Sequence, residues 1–86
     1  MKYIVYHKGH IENCAVIFNR LTDHDDMARK LGADIKVVSA GFVTLDLQDD
    51  KYPVPKCYGK SVSLNKVSRE EDSEILRKLF YNEQGY

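Results

Sequence analysis

From residue 34 to residue 64 the chain reads DIKVVSAGFVTLDLQDDKYPVPKCYGKSVSL, and through its middle apolar and polar side chains alternate. Alternation is the mark of a strand with one face in a core. It puts Val43, Leu45 and Leu47 on one side and Phe42, Thr44 and Asp46 on the other. A pattern of this kind suits an antiparallel sheet covered on one side only. Gly41 follows Val37 and Val38 and predicts a tight turn or bulge, at a place where a side chain would be in the way. Gln48, Asp49, Asp50 and Lys51 predict a turn, and residues 54–58 a return strand. Pro53 and Pro55 lack the amide that a central strand needs, so the return strand is expected at an edge or to begin late.

Upstream, residues 2–6 are rich in β-branched and aromatic types and predict a first strand. A turn is expected at residues 7–10 and a second, buried strand at residues 14–18. A short helix should open at Thr22 or Asp23. Asp23, Asp25 and Asp26 suit its positive end, Arg29 and Lys30 its negative end, and Gly32 a left-handed cap. Its apolar stripe, His24, Met27, Ala28 and Leu31, begins with a histidine. A second helix is expected from Ser68, where Ser68-Arg69-Glu70-Glu71 fits a capping box. Ile75, Leu76, Leu79 and Phe80 would face inward, Glu74 and Lys78 would pair outward, and residues 81–86 would form a frayed tail.

With 86 residues, the chain is expected to be one domain over residues 1–86. The fold class is α+β: a mostly antiparallel sheet of four or five strands with two helices packed on one face. Thirteen basic and thirteen acidic residues cancel, which argues against a general electrostatic grip on nucleic acid. The opening MKYIVYHKGH is neither a signal peptide nor a membrane span, and Cys14 and Cys57 read as free thiols, so a cytoplasmic protein is expected.

No cofactor motif is complete. Gly59-Lys60-Ser61 has Val54 where a phosphate-binding P-loop needs glycine. His7, His10 and Cys14, with Cys57 as a fourth, could supply zinc ligands, but their spacing fits no standard finger or ribbon; turn and core explain them, and no metal is expected. Ser61 and Ser63 lie in no nucleophile elbow.

Lys51, Lys56, Lys60, Lys66 and Arg69 span a segment free of acidic residues, with Tyr52 and Tyr58 among them. Charge beside stacking surface is what an acidic protein partner or single-stranded nucleic acid would use. Tyr52, Lys56, Tyr58 and Lys60 are therefore the candidate contact residues of a small non-enzymatic binding or regulatory protein acting through a protein partner. Weak single-stranded nucleic-acid binding is a further alternative, and a homodimer by strand addition at an exposed edge is possible.

His24 carries the enzyme alternative, as a base or nucleophile at a helix start. His24-Asp25-Asp26-Met27, Ala40-Gly41-Phe42-Val43 and Tyr58-Gly59-Lys60-Ser61 stand in the order of local motifs in the Janus-type phosphohistidine phosphatases, which the chain resembles at these points. The resemblance implies His24 as the catalytic residue and Gly59, Lys60, Ser61 and Ser63 as an anion-binding loop. Phe42 stands where that family has the arginine of a Gly-Gly-Arg turn. The segment from Tyr58 through Ser68, Glu71 and Asp72 also looks like that of small uncharacterised phage and prophage proteins, which implies an accessory role.

Overall fold

The computed structural model describes residues 1–46 and 54–83, without the side chains of residues 80–83. Four strands form one antiparallel sheet: β1 (Lys2–Lys8), β2 (Ile11–Phe18), β3 (Ile35–Asp46) and β4 (Val54–Tyr58), in the order β2-β1-β3-β4. Between them come the helix α1 (His24–Leu31) and, after β4, a two-stranded ribbon of β5 (Lys60–Ser61) and β6 (Lys66–Val67), then the helix α2 (Asp72–Glu83). The expected α+β class, antiparallel sheet and two helices are all present. The return strand at residues 54–58 is an edge strand, as its prolines require.

The helices, however, lie on opposite faces rather than on one. Alternation along β1 explains why. Tyr3 and Val5 join Val43 and Leu76 of α2 on one face, while Ile4 joins Phe18 and Ala40 on the other, against Met27 and Ala28 of α1. Leu64, from the turn of the β5–β6 ribbon, packs on the α1 side. Neighbours in sequence on β1 thus serve two separate cores.

Gly41 is neither a turn nor a bulge; it sits inside the continuous strand β3. The irregularity falls instead opposite Val5 and Tyr6, which pair with Ser39 and Val37 and skip Val38. The expectation that a side chain would be in the way does hold at Gly41. A Cβ there would stand 2.6 Å from the Tyr58 carbonyl oxygen, where the chain leaves β4 and crosses β3.

Both helix ends differ in detail from expectation. Gly32 has a positive φ of 120° but an extended ψ of 164°, so it stops α1 without a left-handed helical cap. Ser68 does not open α2. Its amide donates to the Gly59 carbonyl, and the helix starts at Asp72, with the Ile75 amide bonded to the Glu71 carbonyl. Glu74 pairs with Arg77 at 3.7 Å, not with Lys78. The helix runs on to Glu83, through residues that the sequence assigns to a tail. The expected turn at residues 48–51, Tyr52 and Pro53 lie outside the described residues.

What fixes α2 is a buried polar cluster. Asp72 is fully buried; one carboxylate oxygen accepts from the Tyr3 hydroxyl at 2.5 Å and the Arg69 amide at 2.9 Å, the other from the Ser39 hydroxyl at 2.9 Å and Arg69 Nε at 3.0 Å. A buried carboxylate is tolerated only when paired and hydrogen-bonded, and this one is both. The Tyr3 phenol is pushed upward from its ordinary pKa, first by burial and then by its bond to Asp72.

Candidate functional site

On the α1 side the sheet is only partly covered. There a cleft of about 680 Å³ opens between the start of α1 and the segment leaving β4. Phe42 and His24 line its depth, Tyr58, Gly59, Lys60, Val62 and Ser63 one wall, and Lys2 and Asp23 the other. The register explains the aromatic part: Phe42 and Tyr58 pair directly across β3 and β4 and so share a face, where their rings stack with centroids 5.9 Å apart. Gly59 has φ of 77°, and a Cβ on it would come within 3.0 Å of the Phe42 ring; glycine here lets the chain turn over the aromatic pair.

His24 is the first residue of α1 and is 4% exposed. Its ring stands edge-on between Phe18 and Phe42, at centroid separations of 5.6 and 5.8 Å. Nε2 lies 2.8 Å from the Gly41 carbonyl oxygen. A carbonyl can only accept, so Nε2 carries the proton, and only Nδ1 is left for acid–base chemistry. Burial lowers the His24 pKa, the bond to Gly41 opposes that shift, and the nearby Lys2 ammonium adds to it. The ring is thus held neutral by its surroundings. The hydrogen bond goes to a backbone carbonyl, not to a side chain.

The loop residues separate. Gly59, Lys60 and Ser63 are exposed and face the cleft, whereas Ser61 is buried, its hydroxyl accepting from the Leu64 amide at 3.2 Å and lying 3.4 Å from Ser63 Oγ. Ser61 closes the turn at residues 62–65 and offers nothing to a ligand. Lys2 Nζ donates to the Thr22 carbonyl at 3.0 Å and stands 3.8 Å from the Asp23 carboxylate, so this cation is already engaged.

Of the candidate contact residues, Lys56 and Tyr58 lie on the cleft-bearing face of β4, both exposed, and Lys60, beyond the turn at Gly59, lies in β5 on the cleft wall. Lys56 is 3.6 Å from Asp46. Among the described residues Lys60 has no ion-pair partner. Val62, 82% exposed at the turn of the ribbon, and Tyr58, 52% exposed, add apolar surface.

The possible metal ligands do not converge. Cys14 is in β2 and Cys57 in β4, on opposite faces and separated by three strand spacings, about 14 Å sideways, with a further offset along the strands. Asp23, Asp25 and Asp26 do cluster at the start of α1, but Arg29 bonds Asp25 at 3.2 Å and Asp26 at 2.5 Å.

Sequence reasoning missed Phe42 and Val62 as parts of the site. Phe42 could have been found from the predicted hairpin, since any register that faces it toward Tyr58 builds the aromatic pair. Val62 gave no signal, as its exposure depends on the ribbon turn. No protein-family model, curated protein or solved structure among those compared matches this chain.

Proposed function

We propose that this is a small binding protein, without catalytic activity of its own, that engages an acidic segment of a protein partner across Lys56, Tyr58, Lys60 and Val62. The observation that carries this reading is the exposed, stacked Tyr58 on Phe42, flanked by Lys56 and Lys60 and opening onto a concave surface. A ring held rigid by a second ring contributes contact area at little entropic cost, and flanking lysines favour acidic partners. An accessory role, of the kind implied by the resemblance to small phage and prophage proteins, is compatible with such a module. The test is an array of acidic peptides containing aromatic residues, followed by titration of the peptides that bind. Lys56→Glu with Lys60→Glu should weaken binding at least tenfold with an unchanged melting temperature. Peptide binding indifferent to the reversal would overturn the reading, and preference for a single-stranded oligonucleotide with a steep salt dependence would transfer it to nucleic acid.

A second reading rests on a separate observation: residues far apart in sequence, His24 and Gly59-Lys60-Ser63, line one cleft, as the resemblance to phosphohistidine phosphatases implies. Against it stand the buried His24 ring, its committed Nε2, the inward Ser61 and the Asp23 carboxylate at the cleft wall. Hydrolysis of a phosphohistidine peptide by the wild type, lost in His24→Ala, would favour this reading; no turnover above background would remove it.

A further inference from the structure

The imidazole at the depth of the cleft has two unlike nitrogens. Its ring is held edge-on between Phe18 and Phe42, and Nε2 directs the ring's one proton to the Gly41 carbonyl. Nδ1 is then a bare acceptor, with no hydrogen-bond partner among the described residues. Nor is it sealed in. The one buried side-chain nitrogen or oxygen without a hydrogen bond among those residues is Arg69 Nη2, so Nδ1, equally unbonded, must open onto the cleft that His24 lines. A side chain only 4% exposed thus presents a single polar atom to whatever enters.

The chemistry of that visitor can be narrowed. An anion, phosphate included, brings no proton to Nδ1 and meets its lone pair. A cationic donor is opposed by the Lys2 ammonium, near enough to lower the His24 pKa, and by Lys60 on the facing wall. Asp23, which would favour a cation, is exposed and stands 3.8 Å from Lys2 Nζ. A neutral donor remains. Phe42, Tyr58 and Val62 give the cleft apolar walls, against which an aromatic ring gains contact area. A phenol combines the two requirements, with an apolar body and a hydroxyl at its far end.

The geometry points to a tyrosine of the partner's acidic segment as the anchor of binding, its ring in the cleft against Phe42 and Tyr58 and its hydroxyl donating to His24 Nδ1. The assignment rests on the proposed binding of an acidic segment and names the residue that fills the cleft, while its acidic neighbours meet Lys56 and Lys60 at the rim. The hydroxyl replaces the hydrogen bond that solvent makes to an open acceptor, whereas a phenylalanine covers Nδ1 and leaves it unsatisfied. The cleft therefore selects on the hydroxyl.

Titration of the full chain with acidic heptapeptides, alike except for a central tyrosine, phenylalanine or phosphotyrosine, and separately with p-cresol, tests this. The tyrosine peptide should bind about tenfold tighter than the phenylalanine peptide, and the phosphotyrosine peptide no better than the phenylalanine one. His24→Phe should remove the preference for tyrosine. Lys56→Glu with Lys60→Glu should weaken both peptides and keep their ratio. In wild-type protein with isotope-labelled histidine rings, millimolar p-cresol should move the His24 Nδ1 resonance. Equal binding of the tyrosine and phenylalanine peptides, or an Nδ1 resonance that p-cresol leaves unmoved, would overturn the anchor, and peptides that still bind would leave the acidic partner standing. If no peptide binds while p-cresol moves Nδ1, the selection of a phenol holds and the acidic partner falls.

Discussion

The two faces of the sheet carry one helix each and are finished differently. Under α2, a buried carboxylate gathers Tyr3, Ser39 and Arg69 and locks helix to sheet. Under α1, helix and ribbon leave a cleft whose innermost polar side chain, His24, makes one hydrogen bond and rests between phenyl rings. The first face is organised for stability, and the second keeps surface open. The difference also reaches their titration: one face depends on a phenol that resists losing its proton, the other on an imidazole that resists gaining one.

The comparison breaks most readily at Asp72. Asp72→Ala leaves the Tyr3 and Ser39 hydroxyls without their partner and should cost about 3 kcal/mol in denaturant unfolding, at the low end for a broken buried pair because the Arg69 side chain reaches water. Tyr3→Phe should cost about 2 kcal/mol, the range for a hydrogen bond to a charged group. Because the folded-state pKa of Tyr3 is raised, the unfolded chain releases its proton first as pH climbs past about 10. Wild-type stability should therefore fall on the alkaline side, and the Tyr3→Phe variant should show a smaller fall.

For His24 the sign reverses. Its folded pKa is lowered, so below about 6.5 the unfolded chain takes up a proton that the folded chain refuses. Stability should decline as pH falls through that range until the folded-state pKa is passed. His24→Phe should remove this share of the acid limb, at a cost of about 1 kcal/mol for the lost hydrogen bond. Lys56→Glu with Lys60→Glu should change stability by less than about 0.5 kcal/mol, the usual bound for exposed sites, while acting on binding. A large stability loss there would erase the distinction between the two faces.

Much of the fold was legible because strand periodicity is local. The alternation through Val43 and Leu45, the edge prolines and the charge-sorted ends of α1 each act within a few residues, and they located the second half of β3, β4 and α1. The faces of the helices were not legible, since an amphipathic stripe shows that a helix packs but not on which side of a sheet. Ser68 and Glu71 made a sound local capping signal. It was overridden by a tertiary partner: Asp72 is drawn inward by Tyr3 and Ser39, which no local pattern connects to it. In the candidate site, His24 and the exposed Tyr58 and Lys60 were found as unusual letters. The inward turn of Ser61 depends on the ribbon and had no sequence signature.

The bond between Tyr3 and Asp72 spans 69 residues. It joins the second strand of the sheet's order to the last helix, so it cannot form until nearly the whole chain is available. Until then the Tyr3 and Ser39 hydroxyls, lodged among apolar neighbours, lack the carboxylate that satisfies them, and the sheet has little stability of its own. Contacts so distant in sequence slow the search for the native state and favour all-or-none acquisition of structure. The molecule should therefore show no long-lived half-folded form in which the sheet stands ready and the final helix is still to come.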